Sequence, residues 1–395
     1  MSHRWKSFEF FHSGDTFLKK IIELIHSAKH SIDLESYIFM PDKMGMPVLE
    51  ALSKRERDGI RVRILVDGIG SGGHLLKLRS LAEQHHLDIK VFNPLPAISL
   101  FGLIQTDLSN RQEMAHMLQS GFSTTMAKLN KRNHRKALII DDRIAMIGGM
   151  NISDVTCSSV WGSKAWRDTS VLIESSEIEE LCHAFRHAWH QASFLMRNSH
   201  KNLSAKEPRH PSQPKEDGQI YLNDRAELRK AYHREFFRRI AQAQERIYFV
   251  TPYFVPTRRL LKSLAAARAR GVDIQIILPQ RSDVRFLDFL KDPYISYLHG
   301  HGVRIFEYRT AVLHAKYAII DGLGSVGSGN LNHRSLLHDL EVEATFSQQN
   351  GLEEIEKQWF IDLSRCHPIS PLQSQTRSII QKLMAQIIFW FRYYL

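Results

Sequence analysis

His134-Arg135-Lys136-Ala137-Leu138-Ile139-Ile140-Asp141 is followed, after six residues, by Gly148-Gly149-Met150-Asn151. The pattern returns at His314-Ala315-Lys316-Tyr317-Ala318-Ile319-Ile320-Asp321, followed by Gly327-Ser328-Gly329-Asn330. Each copy reads H-x-K-x4-D with a downstream G-[GS]-x-N. Ala137 to Ile140 and Ile144 to Ile147 are short apolar runs on either side of Asp141-Asp142-Arg143, which predicts a buried hairpin. On a strand, residues i and i+2 face the same way, so His134 and Lys136 project together while Arg135 faces away. The same spacing sets His314 beside Lys316. The paired small residues permit close backbone approach, and the following asparagine can donate to an anionic oxygen.

The surrounding chain is also duplicated. Phe17 to Lys29 carries a helical apolar stripe, Ser31 to Phe39 alternates as a strand, and Met46 to Asp58 is predicted as a helix closed by Gly59. Ile60 to Val66 alternates polar and apolar residues and completes a βαβ-like unit. In the second half Ala226 to Glu245 is helical, Arg246 to Phe254 a strand, Thr257 to Arg270 a helix closed by Gly271, and Val272 to Leu278 a strand. Gly59 aligns with Gly271 and Tyr37 with Tyr253, at offsets of 212 and 216. Two related α/β halves follow. The offset falls to 180 at His134 and His314, so the first half carries an insert at about 94–133. It opens on the apolar stretch Ile98 to Ile104 and closes on Lys128, Lys131 and Arg132. The polar, proline-containing stretch 199–218 is expected to link residues 1–198 to residues 219–370.

Two imidazoles, two ammonium groups and two amides suit a phosphodiester. One histidine can attack phosphorus to give a phosphohistidine while the other protonates the departing alkoxide. The lysines and asparagines stabilise charge on the phosphoryl oxygens, and no metal or cofactor is called for. A carboxylate on the far nitrogen of each histidine would hold it in orientation. Candidates are Asp168, in Trp166-Arg167-Asp168 and 34 residues after His134, and Glu341, 27 residues after His314. Asp141 and Asp321, at the hairpin turns, are better placed to hold the hairpin than to touch substrate.

Fifty-three Lys and Arg against 42 Asp and Glu give a net charge of +11, which points to anionic partners: phospholipid, nucleic acid or phosphorylated compounds. Cys157, Cys182 and Cys366 are too few and too scattered for a disulfide framework, which favours a reducing compartment. Met1 to Phe17 lacks the apolar core of a signal peptide, and no uncharged apolar run approaches the roughly 18 residues of a spanning helix. Residues 379–395, within a tail at 371–395, form an apolar stripe with a crowd of aromatics at its end. This suits a helix lying in a membrane interface, with 97–104 as a second contact. Arg229, Lys230, Arg234, Arg238 and Arg239 are predicted as a solvated basic face able to attract anionic lipid. His183, His187 and His190, without an H-E-x-x-H and with Phe185 and Trp189 between them, read as an ordinary amphipathic helix.

The two H-x-K-x4-D copies resemble the phospholipase D superfamily, and the resemblance runs from about Phe10 to Cys366. Glu35-Ser36-Tyr37-Ile38-Phe39, Arg61 to Asp67, Gly148 to Ile152 with Trp166-Arg167-Asp168, and Arg334-Ser335 running to Glu341 are similar to bacterial cardiolipin synthases. The resemblance implies two pseudo-symmetric α/β/α sandwich halves sharing one active site. It implies phosphatidyl transfer between two phosphatidylglycerol molecules, with release of glycerol, by a peripheral enzyme expected on the cytoplasmic side. It marks His134, Lys136, Asp141, His314, Lys316 and Asp321 as catalytic. Asn151, Asn330, Gly149 and Ser328 become phosphate-binding, and Asp168 and Glu341 support the histidines. His134 is the nucleophile by the same analogy. Two departures stand out: five rather than six residues separate Asp321 from Gly327, and Gly149 replaces a common serine. The family's N-terminal membrane helices are not found, as in its shorter members. A hydrolase yielding phosphatidic acid and a nuclease of the same superfamily are the alternatives. The apolar insert and tail are odd for a nuclease, which makes nucleic acid the less favoured partner.

Overall fold

The computed structural model describes residues 5–94, 131–175, 178–194, 218–284, 287–347 and 349–369. The apolar insert stretch, the linker up to its last residue and the tail at 371–395 lie outside them. Two eight-stranded mixed sheets are present. The first comprises β1 (Ser7–Phe11), β2 (Ser31–Ser36), β3 (Arg61–Asp67), β4 (Ile89–Phe92), β5 (Ala137–Ile140), β6 (Ile144–Gly148), β7 (Ser170–Glu174) and β8 (Ser193–Phe194). Its order is β1-β7-β6-β5-β2-β3-β4-β8. The second comprises β9 (Gln219–Leu222), β10 (Arg246–Val250), β12 (Asp273–Pro279), β13 (Arg304–Tyr308), β14 (Tyr317–Ile320), β15 (Leu323–Gly327), β17 (Val342–Phe346) and β18 (Cys366–Pro368). Read from the β9 end, its order is β9-β17-β15-β14-β10-β12-β13-β18, which matches the first strand for strand. β11 (Phe254–Val255) and β16 (Leu331–Asn332) form a separate parallel pair.

In each half the parallel strands come from βαβ crossovers. α1 (Gly14–Ser27), α2 (Gly45–Arg57) and α3 (Leu75–His85) cover the outer face of the first sheet. After α4 (Glu179–Gln191), the helices α5 (Ala226–Gln242), α6 (Arg258–Ala269) and α7 (Asp292–Gly300) cover the second. The inner faces, with α4 and α8 (Gln349–Leu363), share one apolar core that includes Ile147, Val171, Phe185, Val342, Phe346 and Trp359. Phe8 and Phe10 of β1 pack their rings 5.3 and 5.0 Å from Phe346 of the other sheet. The halves therefore meet through a dry core, as a fused pair rather than two loosely tethered domains.

Four expectations change. β3 is not half-solvated: Arg63 is buried, paired with Asp33 and covered by the rings of Phe185 and Trp189 on α4. Arg132 is not part of a basic surface. It is buried, and its guanidinium grips Asp67 and the carbonyls of Phe92 and Asn93. On α5, Arg229 donates to the carbonyls of Asn223, Leu337 and His338, and Arg239 binds Glu235 and Tyr221. Only Lys230, Arg234 and Arg238 of that group are exposed. β2 ends at Ser36, short of Phe39. The shortened second hairpin is present: Ile320 pairs with Leu323 across two residues, whereas Ile140 pairs with Ile144 across three. α4 buries Cys182, Phe185 and Trp189, while His183 and His187 bond to Glu179 and Gln191 on the same helix.

Candidate active site

Residues 134–136 and 314–316 run as extended chain into β5 and β14, so the alternation expected of a strand operates just ahead of it. Arg135 turns into its own half and pairs with Glu35. His134 and Lys136 turn the other way, towards the seam. There His134 N donates to Leu340 O at 3.0 Å, and Leu340 N donates to Arg132 O at 2.8 Å. The counterpart is built alike: His314 N donates to Arg167 O at 2.7 Å, and Arg167 N to Val312 O at 2.8 Å. Each histidine is thus stitched to the residue that precedes a carboxylate of the opposite half.

The carboxylates follow this crossing. Glu341, just ahead of β17, lies 3.0 and 3.1 Å from His134 Nδ1. Asp168, ahead of β7, lies 2.5 Å from His314 Nδ1. The spacing in sequence had set Asp168 behind His134 and Glu341 behind His314; the structure exchanges them. Burial pushes the Glu341 carboxyl up, but His134 and Lys136 outweigh it and hold it down at about 2. Burial likewise raises Asp168, and Lys316 and His314 more than reverse the effect. Both acids are therefore anions that only accept, so each Nδ1 carries a hydrogen and each Nε2 offers its lone pair.

Burial lowers His134 to about 4, with Lys136 assisting and Glu341 opposing. Burial and Lys316 lower His314 in the same way, against Asp168. Burial and the neighbouring Lys316 charge bring Lys136 down to about 7, and burial also lowers Lys316. Glu341 and Asp168 partly offset the repulsion between the two lysines, and an anionic phosphate would offset it further. Lys136 Nζ donates to His134 O at 2.6 Å, while Lys316 Nζ lies 3.0 and 3.2 Å from the ring nitrogens of His314. Asn151 accepts from Ile38 N through Oδ1 at 3.1 Å, which frees its NH2 for a ligand. Asn330 is buried, and its Oδ1 has no partner.

Four of the roles that the resemblance implies need correction. Asp141 and Asp321 touch neither histidine. Asp141 accepts from Lys29, His30 and Ser31 N, and Asp321 from Gln244, Glu245 and Arg246 N, at the far ends of β5 and β14. They bolt each hairpin turn, at positive φ of 52° and 49°, to the start of the central strand. Gly149 and Ser328 are not free to bind phosphate either. Gly149 N donates to Thr169 O and Ser328 N to Val342 O, both at 2.9 Å, and the Ser328 hydroxyl donates to Glu341. A Cβ at Gly149 would fall within the van der Waals shell of Asp168. These two residues seat the carboxylates.

The sequence also held site residues that served only as landmarks of the repeat. The Tyr37 ring stands edge-on 4.8 Å from His134 and 5.1 Å from Lys136 Nζ. Tyr253 stands 6.2 Å from His314 and donates to Asp283 at 2.8 Å. Their matching places after the first strand of each half were the signal. Among the described residues, no group of three His, Cys, Asp or Glu side chains could hold a metal ion, and no helix is long and apolar enough to cross a membrane.

Comparison with known proteins finds relatives over nearly the whole chain. A family described as "Cardiolipin synthase, PLD-like domain" matches residues 21–189 and 236–361, which takes in both motifs. A cardiolipin synthase of Clostridium perfringens (strain SM101) is 30% identical over 96% of this chain and 75% of its own. A probable cardiolipin synthase of Bacillus subtilis is 26% identical over 94% of this chain and 68% of its own. Among solved structures, phosphatidylserine synthase of Haemophilus influenzae superposes with a TM-score of 0.71 at 15% identity, covering 98% of this chain and 95% of that one, so the fold is shared. With both halves matched, this chain belongs to the PLD-like domain family of cardiolipin synthases.

Proposed function

We propose that this chain is a phosphatidyltransferase that makes cardiolipin from two molecules of phosphatidylglycerol. The observation that carries the reading is the crossed pair of carboxylate-backed histidines, two nucleophile-or-acid units facing one seam with a lysine each. In the first step His134 Nε2 attacks phosphorus, the bond from phosphorus to the glycerol oxygen breaks, and His314, which takes up a proton from water as the anionic phosphate enters beside it, gives that oxygen its proton. In the second, His314 takes the proton from a hydroxyl of another phosphatidylglycerol. That oxygen attacks phosphorus and the bond from phosphorus to His134 breaks. Lys136, Lys316, Asn151 and Asn330 bind the phosphoryl oxygens, whose charge is spread most widely in the transition state. The relatives named cardiolipin synthase support the choice of substrate.

The reading includes peripheral contact with an anionic membrane, supported by the net charge of +11 and by the apolar stripe at 379–395. Basic residues near such a surface contribute about 1 kcal/mol each. Purified protein with phosphatidylglycerol vesicles is the test. Glycerol and cardiolipin in equal amounts are expected. Phosphatidic acid as the main product would make water the acceptor and the enzyme a hydrolase, and cleavage of single-stranded DNA without lipid turnover would make it a nuclease.

A further inference from the structure

The halves share a plan, yet beneath the two lysines their interiors differ. The hairpin register aligns Leu138 and Met146 of the first half with Ala318 and Ser325 of the second. The next strand pairs Gly148 with Ser170 and Gly327 with Glu343, so Ser170 corresponds to Glu343. Met150 likewise corresponds to Gly329, one residue before the motif asparagine. Three bulky apolar side chains have become small, and a serine has become a carboxylic acid. At this place the first half has room for about one water molecule. The second holds a cavity between α5 and the sheet with room for several, enough for a molecule of a few heavy atoms.

The cavity reaches the catalytic set. Lys316, Asn330 and Glu341 form part of its wall, and the buried Asn330 Oδ1 has no partner among the described residues. On the far side stands Glu343, which accepts from Tyr232 Oη at 3.2 Å and from the Ser325 hydroxyl. Burial raises the Glu343 carboxyl above its ordinary range, against the pull of Arg239. Phe249 and Leu336 supply apolar wall between these polar ends. An acyl chain would strip water from Glu343 and return no hydrogen bond. A phosphate would find a cation, Lys316, only at the end shared with the catalytic set, and a carboxyl group at the other. A short carbon chain bearing several hydroxyls satisfies every part, because it can donate to Glu343 and Asn330 Oδ1 and lay its C–H groups on the rings.

We infer that the cavity is the subsite for a polyhydroxy alcohol, the glycerol group that leaves on transfer or is accepted in the reverse direction. The inference rests on the phosphatidyltransferase reading. It makes the halves unequal: the second receives the alcohol, and the filled interior of the first cannot. Ser325→Met would restore the residue of the first half and fill the cavity, and Glu343→Gln would remove the carboxylate at constant size.

The test is exchange of labelled glycerol into phosphatidylglycerol vesicles, compared with 1-propanol as an acceptor of the same length. Wild-type protein should half-saturate with glycerol at a concentration at least tenfold below that for 1-propanol. Ser325→Met should raise the glycerol requirement at least tenfold, and Glu343→Gln should shrink the preference over 1-propanol several-fold. Equal use of the two alcohols by wild-type protein overturns the inference without any variant. So does an unchanged glycerol dependence in variants that still melt cooperatively. If wild-type protein releases no glycerol from phosphatidylglycerol, the transferase reading falls and this inference with it. Turnover without discrimination between alcohols removes this inference alone.

Discussion

Each histidine has an edge-on tyrosine, a lysine two residues on and the same backbone stitch, but their carboxylates are seated differently. Glu341 is held by the Ser328 hydroxyl and by His134. Asp168, one methylene shorter, sits against Gly149 and takes Thr169 N at 2.7 Å in place of a hydroxyl. A shorter acid needs its neighbouring strand closer, and glycine allows that approach. The longer acid leaves room for serine. The glycine that departs from the usual serine is thus coupled to the choice of Asp on that side.

The largest expected effect tests whether both half-sites are needed. His134→Ala and His314→Ala should each lower cardiolipin formation by at least about 10³-fold, as loss of a nucleophile or a general acid does. Substantial turnover by either variant would break the two-histidine scheme. Next come the carboxylates. Glu341→Gln and Asp168→Asn should each cost on the order of 10²-fold or more, because the imidazole loses its orienting anion. An activated leaving group such as nitrophenol, which needs no acid, should restore much of the Asp168→Asn loss and little of the Glu341→Gln loss.

Smaller effects sharpen the asymmetry. Burial keeps His134 neutral down to about pH 4, so kcat/KM should fall on the acid side near that value rather than near 6.5. The Glu341 charge raises His134, so Glu341→Gln should move this limb to lower pH; an upward move would contradict the pairing. Ser328→Gly removes a bond to a carboxylate worth about 2 kcal/mol and should slow turnover roughly tenfold. Gly149→Ser should do at least as much harm by displacing Asp168. Asp141→Asn and Asp321→Asn should chiefly lower the melting temperature by a few degrees. Backbone N–H groups hold both acids below the ordinary 3.8 against the cost of burial. Their stabilisation is present above that value and lost as pH falls through the folded pKa, so each variant should differ least from wild type in acid.

Much of this was legible in the sequence. The hairpins, the βαβ units and the duplicated order follow from apolar periodicity and closing glycines, which are local properties. The seam was not. His134 and Glu341 are 207 residues apart, and His314 and Asp168 are 146 apart, so nearness in sequence favoured the wrong pairing. Arg132 and Arg63 look like surface charges until the fold brings Asp67 and Asp33 to them. Gly149 and Ser328 look like a phosphate loop because small residues beside an asparagine suit one. Only the register with β7 and β17 shows that their backbone groups are already bonded.

The most direct measurement maps the histidine loaded in a single turnover and asks which carboxylate the loading needs. Protein quenched after brief exposure to phosphatidylglycerol should carry a phosphatidyl group on the peptide containing His134. Glu341→Gln should slow its appearance far more than Asp168→Asn does. If the loaded histidine instead depended on the carboxylate of its own half, the crossed site would be contradicted.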